Sequence, residues 1–400
     1  MRPFLLTVWL GLLLLGGAEA LVAQPVDPCQ PLQRNLSGRS EDTGCIWVPL
    51  ERHEAHPTFI PIYFVHSIPD GPSLGRLLMY HGGPAVPTRG IPDRGPFFGA
   101  LTRSFEILYF HQRGSGYSGR LDDLPTQALR DDYSLDDSVD DALALLDRFW
   151  PGVEDVVVFG KSAGGFLALK TALRRPDRVR ALVLLATAGD HRYMSQRDQA
   201  RAEFEALMEQ RFPGFRDLLT QARARFAAEG AAGVAAGTSW LDLQDIYLFK
   251  LAYTYAGQER IPVILRAYVA GDEGPLEALV ESRTLPGFGA LGSRAAFLLA
   301  ACRELGMDEL FPRDCAGIPP GPQRFDVLQD LARISVPVLL LSGAQDPVVP
   351  PSRQRALAEA LVGRVTHIWL PRASHLLLED QPQEAAQALM DFLGLCRPRD

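Results

Sequence analysis

Six short runs of almost purely apolar residues constrain this chain most: Leu77–Tyr80, Ile107–Phe110, Val156–Phe159, Ala181–Leu185, Val336–Leu341 and Val365–Leu370. None alternates apolar with polar residues. Each therefore reads as a strand buried on both faces, which is the condition of a parallel sheet covered by helices on both sides. Helical spacing separates the runs. Leu135–Trp150 forms one such segment, with Ser134 placed to cap its start and Pro151 to mark its end; another continues from Val156–Phe159 through Leu173, and Glu384–Leu393 closes the chain. The expected class is α/β, a mostly parallel sheet with helices on both faces. Ahead of it, 21–43 reads as an extended lead-in, and Cys45–Leu50 with Phe59–His66 as an antiparallel hairpin.

Between about 190 and 332 the texture changes. Ser195–Arg211, Phe215–Glu229, Leu241–Tyr255, Ile264–Ala270 and Ser293–Leu305 carry helix-like spacing with no buried strand among them. The expected organisation is a core of 21–189 and 333–400 interrupted by a helical cap, 190–332. The cap holds twenty acidic and fifteen basic side chains, a net −5 of the chain's formal −8. Such a balance gives no electrostatic footing to nucleic-acid binding, which needs clustered Lys and Arg.

At the start, Arg2, the apolar stretch Phe4–Leu15 and Ala18-Glu19-Ala20 read as a secretory signal over residues 1–20. The apolar stretch is short for a bilayer span, so after cleavage no stable membrane span is expected, and the mature chain is placed in the periplasm or outside the cell. In an oxidising compartment cysteines close in sequence can pair, and Cys29 with Cys45 and Cys302 with Cys315 are the expected disulfides, leaving Cys396 over. No Cys-x-x-Cys or His-x-x-x-His spacing suggests a metal site.

Gly160-Lys161-Ser162-Ala163-Gly164 sits between a strand and a helix. A serine on so tight a turn is presented at the sheet edge, and the glycines admit backbone approach that a side chain would block. A serine hydroxyl is a poor nucleophile at neutral pH, so it needs a base, and the base an orienting acid. His375 follows the run Val365–Leu370 and Asp346 follows Val336–Leu341, so both fall on the same carboxyl edge as Ser162. His367, inside a strand pattern, reads as a packed or face-exposed residue. Asp380 reads as the start of the last helix, or as a replacement for Asp346 should that loop be displaced. The developing oxyanion needs donors: the Ala163 N–H and, from His81-Gly82-Gly83-Pro84-Ala85, the Gly83 N–H, since Pro84 has none.

Together His81-Gly-Gly-Pro-Ala, Gln112-Arg113-Gly114-Ser115-Gly116-Tyr117-Ser118, Gly160-Lys-Ser-Ala-Gly-Gly, Asp346 and His375 resemble the prolyl and tripeptidyl aminopeptidase branch of the α/β-hydrolase superfamily. Ala270-Gly-Asp-Glu-Gly-Pro-Leu and the pair Cys302 with Cys315 look like features of its secreted members. The resemblance implies an α/β-hydrolase fold with a helical cap, a serine hydrolase that needs no cofactor, and release of residues from the N-terminus of short peptides. Two departures stand out. His111 occupies the position where the family usually has Asp before Gln-Arg-Gly-Ser-Gly, and Ala163 follows the nucleophile where prolyl enzymes commonly have Trp.

An aminopeptidase must also recognise a substrate ammonium. Glu203, Glu205, Asp272, Glu273 and Glu304 are the candidate carboxylates in the cap. The expected partner is a short peptide. The alternative is a carboxylic-ester or lactone hydrolase with the same Ser162, Asp346 and His375, acting on a small ester. Oligomeric state is not legible in the sequence.

Overall fold

Five of the six apolar runs form inner strands of one sheet; the sixth, Val365–Leu370, forms an edge strand in which only Leu370 is fully buried, so the expectation of burial on both faces does not hold for it. The computed structural model describes residues 27–52, 55–88, 90–91, 95–119, 133–134, 136–190, 197–229, 240, 243–281, 291–305, 315–318 and 327–395. The expected signal at residues 1–20 and the leftover Cys396 lie outside the described residues. Among the described residues nine strands run in the order β1 (Leu32–Leu36), β2 (Arg39–Pro49), β3 (Phe59–Pro69), β5 (Glu106–Phe110), β4 (Arg76–Tyr80), β6 (Val156–Lys161), β7 (Val179–Leu185), β8 (Val338–Gly343), β9 (Val365–Leu370). Strands β4 to β9 pair in parallel, while β1, β2 and β3 add an antiparallel flank that joins at β5.

Alternate residues of each inner strand serve opposite faces. Leu78, Tyr80, Val158, Leu182 and Leu340 pack on one side against the helices α2 (Asp137–Phe149) and α3 (Ala163–Arg174). Leu77, Met79, Val157, Val183 and Leu339 pack on the other against α1 (Pro96–Ser104) and the last helix, Pro382–Leu395. Burial on both faces explains the unbroken apolar runs of the inner strands. The lead-in reading of 21–43 needs correction: Leu32–Leu36 is an edge strand, and the hairpin strand begins at Arg39. Its residues are exposed throughout, so no apolar pattern announced it. At α2 the expected cap also shifts. Asp136 stands at the N-cap without a capping bond, its carboxylate pairing instead with Lys170 and Arg174, while the Ser134 hydroxyl accepts the Asp136 N–H at 3.1 Å.

From β7 to β8 the described chain is helical. It comprises α4 (Arg197–Arg211), α5 (Phe215–Glu229), the wide turn Leu243–Leu248 running into Phe249–Leu251, α6 (Tyr255–Val269), α7 (Gly274–Glu281), and α8 (Arg294–Leu299) continuing to Glu304. Phe204, Met208, Leu219, Ile261, Leu265, Tyr268 and Leu276 give this segment a core of its own. After β8 comes α9 (Pro351–Ala360). Cys29 is joined to Cys45, which fastens the chain ahead of β1 to β2, and Cys302 is joined to Cys315. No helix among the described residues is long and apolar enough to cross a membrane.

Candidate active site

Strand β6 ends at Lys161 and α3 starts at Ala163, so Ser162 alone makes the turn, at φ 52 and ψ −124. That is strained for a residue with a side chain. The turn is held from both sides: the Ser162 N–H donates to the Leu185 carbonyl at 2.8 Å, and the Thr187 hydroxyl donates to the Ser162 carbonyl at 2.8 Å. The flanking glycines are set by contact. A Cβ on Gly160 would lie 2.4 Å from the Gly164 carbonyl oxygen, and one on Gly164 would lie 2.5 Å from the His81 carbonyl oxygen.

The structure brings Ser162, His375 and Asp346 into one chain of hydrogen bonds. Ser162 Oγ lies 3.1 Å from His375 Nε2, and His375 Nδ1 lies 3.0 Å from Asp346 Oδ2. A carboxylate only accepts, so Nδ1 carries the proton and Nε2 is left to accept from the serine. Asp346 is fully buried, and its other oxygen, Oδ1, takes the N–H groups of Val348 at 2.8 Å and Val349 at 2.9 Å. Those bonds, with the Gln354 amide 3.4 Å from Oδ2, fix the carboxylate beneath the imidazole.

Gly82 and Gly83 lie beside the elbow, a Cβ on Gly82 falling 3.1 Å from the Lys161 carbonyl oxygen. Gly83 takes φ +128, where a Cβ would meet the Val86 nitrogen at 2.9 Å, so no other residue fits. Among the described residues neither the Gly83 N–H nor the Ala163 N–H has a protein acceptor. The Ala163 group belongs to the first turn of α3, where backbone donors lack helical partners.

Under this edge runs the loop from Gln112 to Ser118. Its Arg113 is fully buried and donates to both oxygens of Asp141 at 2.8 and 2.7 Å, to Asp137 at 3.2 Å, and to the carbonyls of Pro49 and Leu50. His111, the departure noted in this loop, is part of its bonding. Its Nδ1 accepts the Tyr117 N–H at 3.0 Å, leaving Nε2–H to donate to the Thr88 carbonyl at 2.8 Å. Burial, and the neighbouring His81, push its pKa down to about 3. His367 is half-buried on β9, its Nε2 2.9 Å from the Ser342 hydroxyl on the neighbouring strand.

Asp380 does not start the last helix. It ends the short helix Leu377–Asp380, and its carboxylate accepts the Ser374 N–H at 2.8 Å and the Tyr255 N–H at 2.9 Å. Leu376 N–H meanwhile donates to the Tyr253 carbonyl at 2.9 Å, and the Gln258 amide donates to the Gln345 carbonyl at 2.7 Å. The start of α6 is thereby clamped to the loops carrying His375 and Asp346. Tyr253 comes with it, its ring edge-on to the His375 imidazole with centroids 5.5 Å apart. Its hydroxyl has no hydrogen-bond partner among the described residues, and burial with the nearby Asp346 charge pushes its pKa up to about 12. No motif marks Tyr253, and the sequence pattern runs through it as one helical stretch, Leu241–Tyr255, whereas the structure breaks there, between Phe249–Leu251 and α6.

Among the described residues no hydrogen bond joins the five candidate carboxylates to Ser162, His375 or Asp346. Glu203 accepts from Gln199 at 2.9 Å and lies 3.4 Å from the Ser352 hydroxyl at the start of α9. Glu205 accepts from Gln244 at 3.0 Å, Glu273 pairs with Arg225 at 3.0 Å, and Asp272 accepts the Gly274 N–H at 3.1 Å. Glu304 is buried, and its charge acts on Tyr133.

Residues 75–243 match a protein family described as alpha/beta hydrolase fold, and residues 325–382 match one described as serine aminopeptidase, S33. The first stretch contains Ser162 and the second Asp346 and His375. A candidate carbamate hydrolase, RutD of Caulobacter sp. strain K31, is 24% identical over 324 residues, covering 78% of this chain and 94% of that protein. The 2-hydroxymuconate semialdehyde hydrolase of Pseudomonas putida is 35% identical over 119 residues, 30% of this chain and 38% of that one. Proline iminopeptidase PfmaB of Pestalotiopsis fici is 33% identical over 120 residues, 29% of this chain and 38% of that one.

Proposed function

We propose that this chain, which belongs to the α/β-hydrolase superfamily, is a serine hydrolase, and within that class an exported aminopeptidase that removes residues from the N-terminus of short peptides. The hydrogen-bonded chain Ser162–His375–Asp346 carries the reading. His375 Nε2 takes the Ser162 proton as Oγ attacks the substrate carbonyl, and Asp346 holds the resulting imidazolium. The oxyanion rests on the N–H groups of Ala163 and Gly83. As the intermediate collapses, His375 returns its proton to the leaving amine, and water then repeats the cycle on the acyl-enzyme.

The helical segment between β7 and β8 acts as the lid of this site, and its acidic balance suits a cationic substrate end. The match of residues 325–382 to a serine aminopeptidase family and the partial likeness to a proline iminopeptidase support the peptidase reading. Ala163, in place of a bulky aromatic, leaves more room beside the nucleophile than strict proline selectivity requires. Two disulfides support residence in an oxidising compartment.

An esterase or lactonase reading has one observation in its favour: four of the five candidate carboxylates, Glu203, Glu205, Asp272 and Glu273, already have hydrogen-bond partners within the chain. The two are separated by comparing aminoacyl arylamides carrying a free amine with their N-acetylated forms, alongside p-nitrophenyl esters and lactones. Cleavage of free-amine amides, lost on acetylation, is the expected result. Turnover of esters or lactones alone would overturn the aminopeptidase reading and leave the hydrolase standing.

A further inference from the structure

We infer that His81 is a positioning residue for the oxyanion site: by holding the Gly82 carbonyl, its imidazole sets the direction in which the Gly83 N–H points. The inference rests on the serine-hydrolase reading and adds to it a residue that touches neither the substrate nor the triad.

Two hydrogen bonds decide the state of the ring. The Gln112 N–H donates to His81 Nε2 at 3.2 Å, so Nε2 carries no proton. The proton of the neutral ring is then on Nδ1, which lies 2.7 Å from the Gly82 carbonyl oxygen and donates to it. The opposite tautomer would set two N–H groups against each other at Gln112 and a lone pair against the carbonyl at Gly82. The imidazolium would restore the Gly82 bond and still clash at Gln112. One protonation state satisfies both contacts. Burial favours the same state, pushing the pKa down to about 4. The backbone of His81 is gripped as well, since the Gln112 side-chain amide donates to its carbonyl at 2.9 Å.

The carbonyl of Gly82 and the N–H of Gly83 belong to one planar peptide group and point in opposite directions. Fixing the oxygen fixes the hydrogen. Gly83 has no side chain with which to anchor itself, and at φ +128 it has ample freedom to turn that peptide over. Pro84, next in line, offers no N–H as a substitute. The orientation of this donor must come from a neighbour, and His81 is the neighbour bonded to the right atom.

The test compares three substitutions on a substrate the unsubstituted protein hydrolyses. In His81→Asn the amide nitrogen stands where Nδ1 stood and keeps the bond to Gly82; in His81→Gln it stands near Nε2 and does not; in His81→Ala both are gone. The alanine and glutamine variants are expected to lose roughly 10²- to 10³-fold in kcat, the measured effect of removing one oxyanion donor, with KM little changed. The asparagine variant recovers most of that loss. An asparagine variant no faster than the alanine one, or a loss that falls on KM, would overturn the inference. Nitrogen NMR of the imidazole in the unsubstituted protein gives a readout independent of how well the variants fold: a proton on Nδ1 supports the inference, and one on Nε2 contradicts it. Labelling of the unsubstituted protein by a fluorophosphonate keeps the two readings distinguishable. Without labelling both fall; with labelling and no asparagine rescue, the positioning role falls alone.

Discussion

At the carboxyl edge of the sheet, polar groups are held by the backbone of neighbouring strands and loops. Asp346 takes the N–H groups of Val348 and Val349, the Ser162 N–H is held by the Leu185 carbonyl, and Arg113 reaches the carbonyls of Pro49 and Leu50. In the helical segment between β7 and β8, carboxylates are held mostly by side chains of adjacent helices: Glu205 by Gln244, Glu273 by Arg225, Glu259 by Arg211. Backbone positions at the sheet edge follow from strand register and tolerate replacement of surrounding side chains. Side-chain pairs on helices are exchanged without moving the backbone. The first arrangement suits chemistry that requires fixed distances, the second a surface that sets which substrate is admitted.

The largest test of that division is catalytic. Ser162→Ala or His375→Ala should lower hydrolysis by about 10⁴-fold or more, and Asp346→Asn by about 10⁴-fold. Glu203→Gln in the helical segment should act on KM for free-amine substrates and leave kcat close to its starting value. A loss in kcat from Glu203→Gln comparable with that from Asp346→Asn would erase the distinction.

Stability gives the next contrast. Arg113→Met leaves the buried Asp141 with Arg52 as its remaining cationic partner and should cost about 3 kcal/mol in urea unfolding, the lower end of what losing one member of a buried pair costs. Arg211→Met removes a guanidinium that lies over the Tyr255 ring at 3.3 Å and pairs with the exposed Glu259, and should cost only about 1–2 kcal/mol.

Acid should loosen the sheet edge through His81 and His111, each buried neutral. Their folded pKa values, about 4 and about 3, lie below the ordinary 6.5, so the unfolded chain binds the extra protons. Stability is therefore full above about pH 6.5 and falls on acidification, by roughly 1 kcal/mol per pH unit for each ring, until the folded pKa is passed. Urea midpoints measured from pH 7 to pH 4 check the sign. A midpoint that rises on acidification would contradict it.

The smallest effect belongs to the joint between the two regions. Asp380→Asn keeps one acceptor for the N–H groups of Ser374 and Tyr255 but loses the charge, and should cost about 1 kcal/mol together with a modest rise in KM.

Legibility in the sequence follows the same line. Strands β4 to β8 were readable because burial on both faces leaves continuous apolar runs, the edge strand β9 keeps an apolar run though only partly buried, and the observed boundaries of all six fall within about two residues of those runs. Strand β1, Leu-Gln-Arg-Asn-Leu, was not, because an exposed edge strand has no apolar face to display. Helix α9 was also missed; only Gln354 and Leu357 of its ten residues are buried, too few to draw a period. Ser162, Asp346 and His375 could be placed because each follows a strand directly. The clamp around Asp380 and Tyr253 could not, since its bonds join residues as far apart as 125 positions and involve ordinary turn residues.

The central claim is that Ser162 is a nucleophile activated by His375. Its most direct test is intact-mass and peptide analysis of the folded protein after exposure to a fluorophosphonate. The account predicts one adduct per chain, on the peptide bearing Ser162, formed far more slowly in His375→Ala and absent in Ser162→Ala. A folded protein that takes up no label, or takes it up equally well after Ser162→Ala, would contradict it.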